Sequence, residues 1–406
     1  MLKKYYFNHK KRNFSIASIW IKGGSDMDGI GKKGINKILC SLITRGCKGL
    51  SNLELSEYIE SFGAELNQEI FEDGILISIK SLNEHFSKLI PLLDLIIKEP
   101  ILSETEFKKV KKYSSDHIRK DKENPFNICF EKWKKIVYKS HPYAFNTIGN
   151  LNDVSKITYK DVLFEFKNFK MREKYLISNN LEINGQDFET IEQKIIEEKL
   201  VSKNHDLDPA RRFDYTVNNS NQTIIMIGNQ TCSRGSDEYL QLKVLESYLS
   251  FGMTASLFKL FREKNGITYD LGVFNPIRSG NSPFLIYLSV SNKNSLFAFE
   301  LLSSLWEKLL SNPLIDIEIF LAKEKLKASF LLSQQSLDEI LHRKIQLISY
   351  GLKPISEIDL NSKIDEISSL NILKLTNKYF SKPFLSISSN KKICQEIKTH
   401  WEKNFS

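Results

Sequence analysis

Apolar positions recur at steps of three and four between Gly31 and Gly46: Ile35, Ile38, Leu39, Leu42 and Ile43 share one face of an expected helix bounded by glycines. Before it, 14–22 is rich in β-branched and aromatic residues and leads into Gly23-Gly24, the pattern of a strand. After it the pattern predicts a helix over 53–62, capped by Ser51 or Asn52 and ended at Gly63. Two antiparallel strands follow, 64–68 and 74–81. A helix over 83–98 stops at Pro100, and another starts from Ser103 and runs past His117 to about Lys120. Asn124-Pro125 breaks that helix and opens one over 125–138. A helix over 158–168, a strand over 174–179 and a helical stretch over 180–200 complete the first half.

A polar segment, 203–212, then interrupts the pattern, and the same order of elements returns. A strand is expected over 223–228 and a largely helical stretch over 237–264, interrupted near Gly252. Strands over 268–274 and 284–291 precede a helix over 295–310 that stops at Pro313, and a further helix covers 316–335. The repeat holds residue by residue: FSKLIPLLDLIIKEP (86–100) lies opposite FELLSSLWEKLLSNP (299–313), with apolar positions and the final proline in register. Beyond it, Leu102 to Phe107 lies opposite Ile315 to Phe320 with the same offset. The fold expected is α+β, built of two homologous halves, each an antiparallel sheet covered on one face by helices. The boundaries expected are an N-terminal domain over 1–202, a linker over 203–218 and a C-terminal domain over 219–406.

Composition adds limits. A chain of 406 residues is long enough for two domains, and 41% hydrophobic with 26% charged residues is that of a folded soluble protein. The net charge of +9 is spread along the chain, with no arginine-rich arm and no zinc-finger spacing, so a nucleic-acid function is not expected. Five cysteines, an odd number with no C-x-x-C, fit a reducing compartment. The basic N-terminus is followed by a short apolar run, 16–21, interrupted by Ser18 and lacking a small-residue cleavage site, so no signal peptide is read. The run 89–97 contains Asp94 and is too short to span a bilayer. The expected location is cytoplasmic.

A glycine-bounded apolar helix near the start of such a chain is where a zinc peptidase can carry an H-x-x-E-H motif, whose histidines share one helical face and grip one metal. The matching positions hold Lys37, Cys40 and Ser41. Read alone, they make an ordinary helix with a snorkelling lysine and small packing residues. A thiol at Cys40 activated by the charge of Lys37 is a second reading. Every other histidine stands without metal spacing, and neither G-x-S-x-G nor a P-loop is present. Arg262 reads alone as a cation near a helix C-terminus with Gly266 as the capping glycine, and Tyr269 as a strand residue.

Three stretches nevertheless resemble the insulinase/pitrilysin family of inverzincin metallopeptidases, in particular its mitochondrial-processing-peptidase-like branch. Gly34-Ile-Asn-Lys-Ile-Leu-Cys-Ser-Leu-Ile-Thr-Arg-Gly46 is similar to the family's G-L-A-H-F-L-E-H-M-L-F-K-G. Ser61-Phe-Gly-Ala-Glu-Leu-Asn67 is similar to the segment after its second helix. The most specific is Phe251 to Tyr269, which resembles the family's glycine-rich loop followed by R-E-K-x-G-x-x-Y, although it keeps only Gly252 in the loop. The resemblance covers essentially the whole chain and implies a LuxS/mitochondrial-processing-peptidase-like metallohydrolase fold.

Carried over by position, the family's first histidine falls on Lys37, its catalytic glutamate on Cys40, its second histidine on Ser41 and its third ligand on His117. None of the four keeps its residue, so the resemblance implies no catalytic residue, no metal and no cofactor in this chain. The arginine and tyrosine that bind substrate backbone and stabilise the oxyanion fall on Arg262 and Tyr269. The resemblance therefore implies a non-catalytic, substrate-binding subunit of a heterodimeric zinc peptidase, acting on peptides, with zinc held by a paralogous partner. A proteolytically inactive scaffold subunit of a larger complex is the alternative, and an autonomous enzyme using Cys40 and His117 is a third.

Overall fold

The computed structural model describes residues 2–7, 13–180 and 209–405. The first half of the chain forms β1 (Leu2–Tyr6), β2 (Phe14–Lys22), α1 (Ile35–Ile43), α2 (Asn52–Ser61), β3 (Glu65–Ile70), β4 (Gly74–Leu82), α3 (Asn83–Lys98), α4 (Glu104–Asp121), α5 (Pro125–Tyr138), α6 (Leu151–Lys156), α7 (Tyr159–Met171) and β5 (Lys174–Ser178). The second half forms β6 (Phe213–Val217), β7 (Gln222–Gln230), α8 (Glu238–Ser250), a π-helical turn (Phe258–Glu263), β8 (Thr268–Phe274), β9 (Pro283–Ser291), α9 (Ser295–Ser311), α10 (Asp316–Ser333), α11 (Leu337–Ser349), α12 (Glu357–Asp365), α13 (Ser369–Phe380), β10 (Phe384–Ser389) and α14 (Lys391–Asn404).

Strand order is β1-β5-β2-β4-β3 in one sheet and β6-β10-β7-β9-β8 in the other, the same topology twice. Each sheet is antiparallel except at one margin, where β1 pairs with β5, and β6 with β10, in parallel. The free edges at the other margin are β3 and β8. Sequence pattern fixed most elements because their boundaries carry chemistry. Ser51 caps α2 in a reciprocal box with Glu54, Thr158 does the same for α7 with Asp161, and Asn124 caps α5 ahead of Pro125.

One element departs from the expected layout. The segment expected to be a linker, 203–218, contains β6, whose Asp214 pairs with Lys132 at 3.1 Å. A strand that carries a charge and follows Arg211-Arg212 does not stand out from a polar connection. The helix expected over 180–200 lies almost wholly outside the described residues. Among the described residues no helix is long and apolar enough to cross a membrane.

The chain folds into two compact units, and they are not its two continuous halves. The first unit holds β1–β5 with α1–α4, α6 and α7, and also α11 from the second half. The second holds β6–β10 with α8–α10 and α12–α14, and also α5 from the first half. In the first unit, Ala17, Ile19 and Ile21 of β2 and Ile75, Ile77 and Ile79 of β4 bury one sheet face against Ile38, Leu39 and Leu42 of α1 and Phe86, Leu89 and Leu93 of α3. The alternate residues Ile16, Trp20, Leu76, Tyr175 and Ile177 point to the opposite face. There they meet Leu337, Leu341 and Ile345 of α11. In the second unit α5 packs on β6, β10 and β7. Trp133 donates its indole N–H to the Phe384 carbonyl at 3.2 Å, and Ser386 donates to the Cys129 carbonyl at 2.9 Å. Among the described residues each sheet is thus covered by several helices on one face and by one helix on the other, where the expectation was cover on one face only.

Candidate functional site

In the first unit α1 starts at Gly34, whose φ of 100° and close approach to the Ile148 carbonyl exclude a side chain; a Cβ there would lie 2.7 Å from that oxygen. Gly34 offers no capping side chain. Asp28 supplies one from a distance, accepting from the backbone N–H of Gly34 (2.6 Å) and Asn36 (3.1 Å) and from Asn36 Nδ2 (2.8 Å). Arg172 locks the arrangement by donating to the Gly23 carbonyl (2.9 Å) and Asn36 Oδ1 (2.8 Å) while pairing with Glu165. Burial pushes the Asp28 carboxyl up to about 6, against the opposing pull of its Gly34 and Asn36 hydrogen bonds. The sequence offered no sign of this network, since its members are scattered over 150 positions and make no motif.

Along α1 the three substituted positions face different surroundings. Cys40 is wholly buried among the apolar residues of the helix, and burial pushes its thiol up to about 12; the Lys37 charge pulls the other way and loses. Full burial therefore opposes the reading of Cys40 as an activated thiol: desolvation outweighs a nearby cation for a side chain with no exposed surface. Lys37 and Ser41, four residues apart, are half-buried. Lys37 also reaches electrostatically to Glu69 on the edge strand β3, whose carboxyl is raised by desolvation and held down by that charge. His117 is exposed on α4, which is tied to the end of α1 by the Arg45–Glu106 pair at 2.9 Å. Among the described residues no three His, Cys, Asp or Glu side chains are grouped to hold a metal ion.

The second unit carries the other candidate pair. After α8 the chain turns through Gly252 (φ 75°) into the π-helical turn, closed by Lys264 N–H on the Lys259 carbonyl at 3.0 Å. Gly266 (φ 59°) then ends it: Ile267 N–H returns to the Phe261 carbonyl (3.0 Å) and Gly266 N–H to that of Arg262 (3.1 Å). This is the Schellman arrangement, in which the left-handed residue lets two N–H groups satisfy the last carbonyls. It sends the chain directly into β8, so the turn sets Arg262 and the backbone of Tyr269 in fixed relation. Between Thr268 and Asp270 the register of β8 against β9 shifts, which places Tyr269 at a bulge. Arg262 is exposed, with its guanidinium 5.2 Å from the centre of the Phe258 ring. It lines a pocket of about 260 Å³ together with Gly252, Met253, Phe258, Asp270 and Leu271. Asp270 and Met253 were not singled out from the sequence, although an aspartate inside a strand is a signal, being disfavoured there unless exposed or used.

The chain is similar to known proteins over most of its length. The family model described as Insulinase (Peptidase family M16) matches residues 5–150, and that described as Peptidase M16 inactive domain matches residues 183–326. The chain belongs to the insulinase family. An uncharacterized zinc protease of Rickettsia bellii is 22% identical over 387 residues, covering 92% of each chain. The mitochondrial-processing peptidase subunit beta of Neurospora crassa is 22% identical over 405 residues, covering 92% of this chain and 83% of its own. The crystal structure of a peptidase M16 inactive domain from Pseudomonas fluorescens superposes with a TM-score of 0.79 at 17% identity, over 95% of both chains. This insulinase-family chain departs from a zinc peptidase at α1. A zinc ion needs three ligands and an open position for water. An amine side chain at Lys37, a hydroxyl at Ser41, a thiol at Cys40 raised by burial and a lone exposed imidazole at His117 do not supply them. The residues do not fit the metal.

Proposed function

We propose that this chain is the non-catalytic, substrate-binding subunit of a heterodimeric zinc peptidase, and that it lends Arg262 and Tyr269 to the zinc site of a paralogous partner. One contrast between the two candidate sites supports the reading. The positions that the resemblance sets at the zinc ligands and base hold Lys37, Cys40 and Ser41 on α1 and His117 on α4, which do not fit zinc. In the second unit the Arg262-to-Tyr269 segment is held by two capping hydrogen bonds and ends on a free sheet edge. Among the described residues the Arg262 side chain makes no hydrogen bond or ion pair, only the contact with Phe258.

A guanidinium suits the task. It is charged at any physiological pH and presents planar donors, so it can hold a peptide carbonyl in the ground state and more tightly once that oxygen becomes an oxyanion. In this reading zinc, its bound water and the general base belong to the partner, and the chain contributes peptide binding and charge stabilisation. Similarity to a protein named as a subunit supports the existence of a partner.

The test is reconstitution. Mixing the purified chain with a zinc-bearing paralogue should produce peptide cleavage faster than the paralogue alone, and Arg262→Ala should lower the kcat of the mixture by about 100-fold, the usual cost of losing one oxyanion donor. A mixture no faster than the paralogue alone overturns the reading and leaves the scaffold role.

A further inference from the structure

The first unit differs from its duplicate at one surface. Two reciprocal capping boxes, Thr158 with Asp161 and Ser368 with Asn371, align α7 with α13. In that alignment the buried Val162 and Phe169 of α7 meet the buried Ile372 and Tyr379 of α13, so the packed faces agree. The outward faces do not. Phe164, 64% exposed, stands opposite Lys374, and Met171, 84% exposed, opposite Ser381. The connection ahead of the first helix differs as well: residues 23–34 join β2 to α1, where the shorter 231–237 join β7 to α8. The duplicated fold therefore demands neither the longer turn nor the exposed apolar side chains.

That turn holds an apolar side chain out into water. Lys32 N–H returns to the Gly29 carbonyl at 3.1 Å, and Ile30 between them is fully exposed. The base of the turn is fixed. Lys33 Nζ donates to the Asp28 carbonyl (2.6 Å) and Lys33 N–H to Asp153 (3.0 Å), beside the bonds of Asp28 to Gly34 and Asn36. Lys32 ties the turn to α7 through Asp161 at 2.5 Å. An isoleucine held in water on so firm a base forgoes the gain of burial, which an apolar medium would return. The charges of the surface are sorted by sign. The two acids of α7, Asp161 and Glu165, are drawn to the side of the turn by Lys32 and Arg172. The outward face carries Lys160, Phe164, Lys167 and Met171 at steps of four, three and four, with Lys170 beside them, and no acid of α7 stands on it.

We propose that this surface docks on a bilayer containing anionic lipids, with Ile30, Phe164 and Met171 entering the headgroup layer and Lys160, Lys167 and Lys170 on the lipid phosphates. The charge pattern favours a lipid surface over a protein partner. Protein interfaces are depleted in lysine and rest on a contiguous apolar centre. Here the apolar side chains are scattered among lysines, whose stems can lie along an apolar layer while their ammonium groups reach the headgroups. A fluid surface adjusts to such a pattern, and its negative potential matches the sign of the face. The proposal goes beyond the subunit reading, since it requires neither a partner nor zinc.

Co-sedimentation of the full chain with vesicles tests it, using phosphatidylcholine alone and phosphatidylcholine mixed with an equal part of phosphatidylglycerol. Binding to the mixed vesicles and not to the neutral ones is expected, and it should fall as salt is raised. Ile30→Ser combined with Phe164→Ser should weaken binding by about tenfold, and Lys160→Gln or Lys167→Gln by about fivefold each. Lys374→Gln removes a charge from the outward face of α13 and should leave binding unchanged. Circular-dichroism melts establish that the variants are folded. The proposal is overturned if the chain does not pellet with the mixed vesicles or pellets equally with the neutral ones. It is equally overturned if the folded Ile30→Ser, Phe164→Ser variant binds as the wild type does. Loss of binding in Lys374→Gln as large as in Lys160→Gln also overturns it, since attraction is then a property of the whole basic chain. None of these results alters the outcome of the reconstitution, which reads cleavage by a partner.

Discussion

Lys37, Cys40 and Ser41 stand within five positions on one short helix and meet three different fates. Cys40 falls on the apolar stripe and is sealed from water, while Lys37 and Ser41 lie on its margin. That difference follows from helical geometry alone, and the stripe was legible from Ile38, Leu39 and Leu42. The consequence for the thiol was not legible, because a pKa depends on how completely neighbours from other elements exclude water. The same applies to the acids ahead of α1. Asp26 is pushed up to about 6, chiefly by burial and further by Asp73, against the pull of Gly24 N–H and Arg172. A carboxyl raised above its ordinary 3.8 binds its proton more tightly in the folded state, so its contribution to stability grows as pH falls through about 6 and is lost as pH rises. Asp26→Asn removes this dependence. Denaturant unfolding of both proteins at pH 7.5 and pH 5 should show the wild type gaining stability relative to the variant at the lower pH. An unchanged difference between the two proteins counts against a buried, proton-binding Asp26.

At the scale of the element, terminators carried most of the readable information. Pro100 and Pro313 end equivalent helices, Ser51 and Thr158 begin others, and Gly266 ends the turn that carries Arg262. The capping role of Gly266 was readable because a glycine after a basic helical turn is the common solution for satisfying the last carbonyls. Placing a Cβ on a left-handed residue costs about 1–2 kcal/mol, so Gly266→Ala should lower the stability of the chain by that amount in urea unfolding. If Gly266→Ala unfolds at the wild-type midpoint, the turn is not held as described. The π-helical character of 258–263 and the bulge before Asp270 left no trace in the sequence. Both are small departures from regular elements, made where the chain must reconcile a helix, a tight turn and an edge strand within a dozen residues.

At the scale of the molecule the duplication was visible and the exchange of helices was not. Leu337, Leu341 and Ile345 recur every four residues and mark α11 as having a buried face. Nothing in that spacing says which sheet it covers, since any apolar stripe satisfies any apolar sheet face of matching width. The structure assigns α11 to the first unit, where it covers Ile16, Trp20 and Ile177. Leu341 is fully buried there, so Leu341→Ala should cost about 2–5 kcal/mol. Hydrogen exchange should rise in β2 and β5, more than 150 positions away in sequence, while β7 and β9 of the second unit stay protected. Loss of protection confined to the second unit would place α11 wrongly. The sequence by itself determined the elements, the repeat and the absence of an H-x-x-E-H motif, because periodicity, caps and residue identity are local properties of a chain. Tertiary structure decided which helix covers which sheet, how far burial silences Cys40, and that Arg262 shares a pocket with Asp270. Those are properties of what surrounds a residue, and the surroundings are assembled from segments that no local pattern connects.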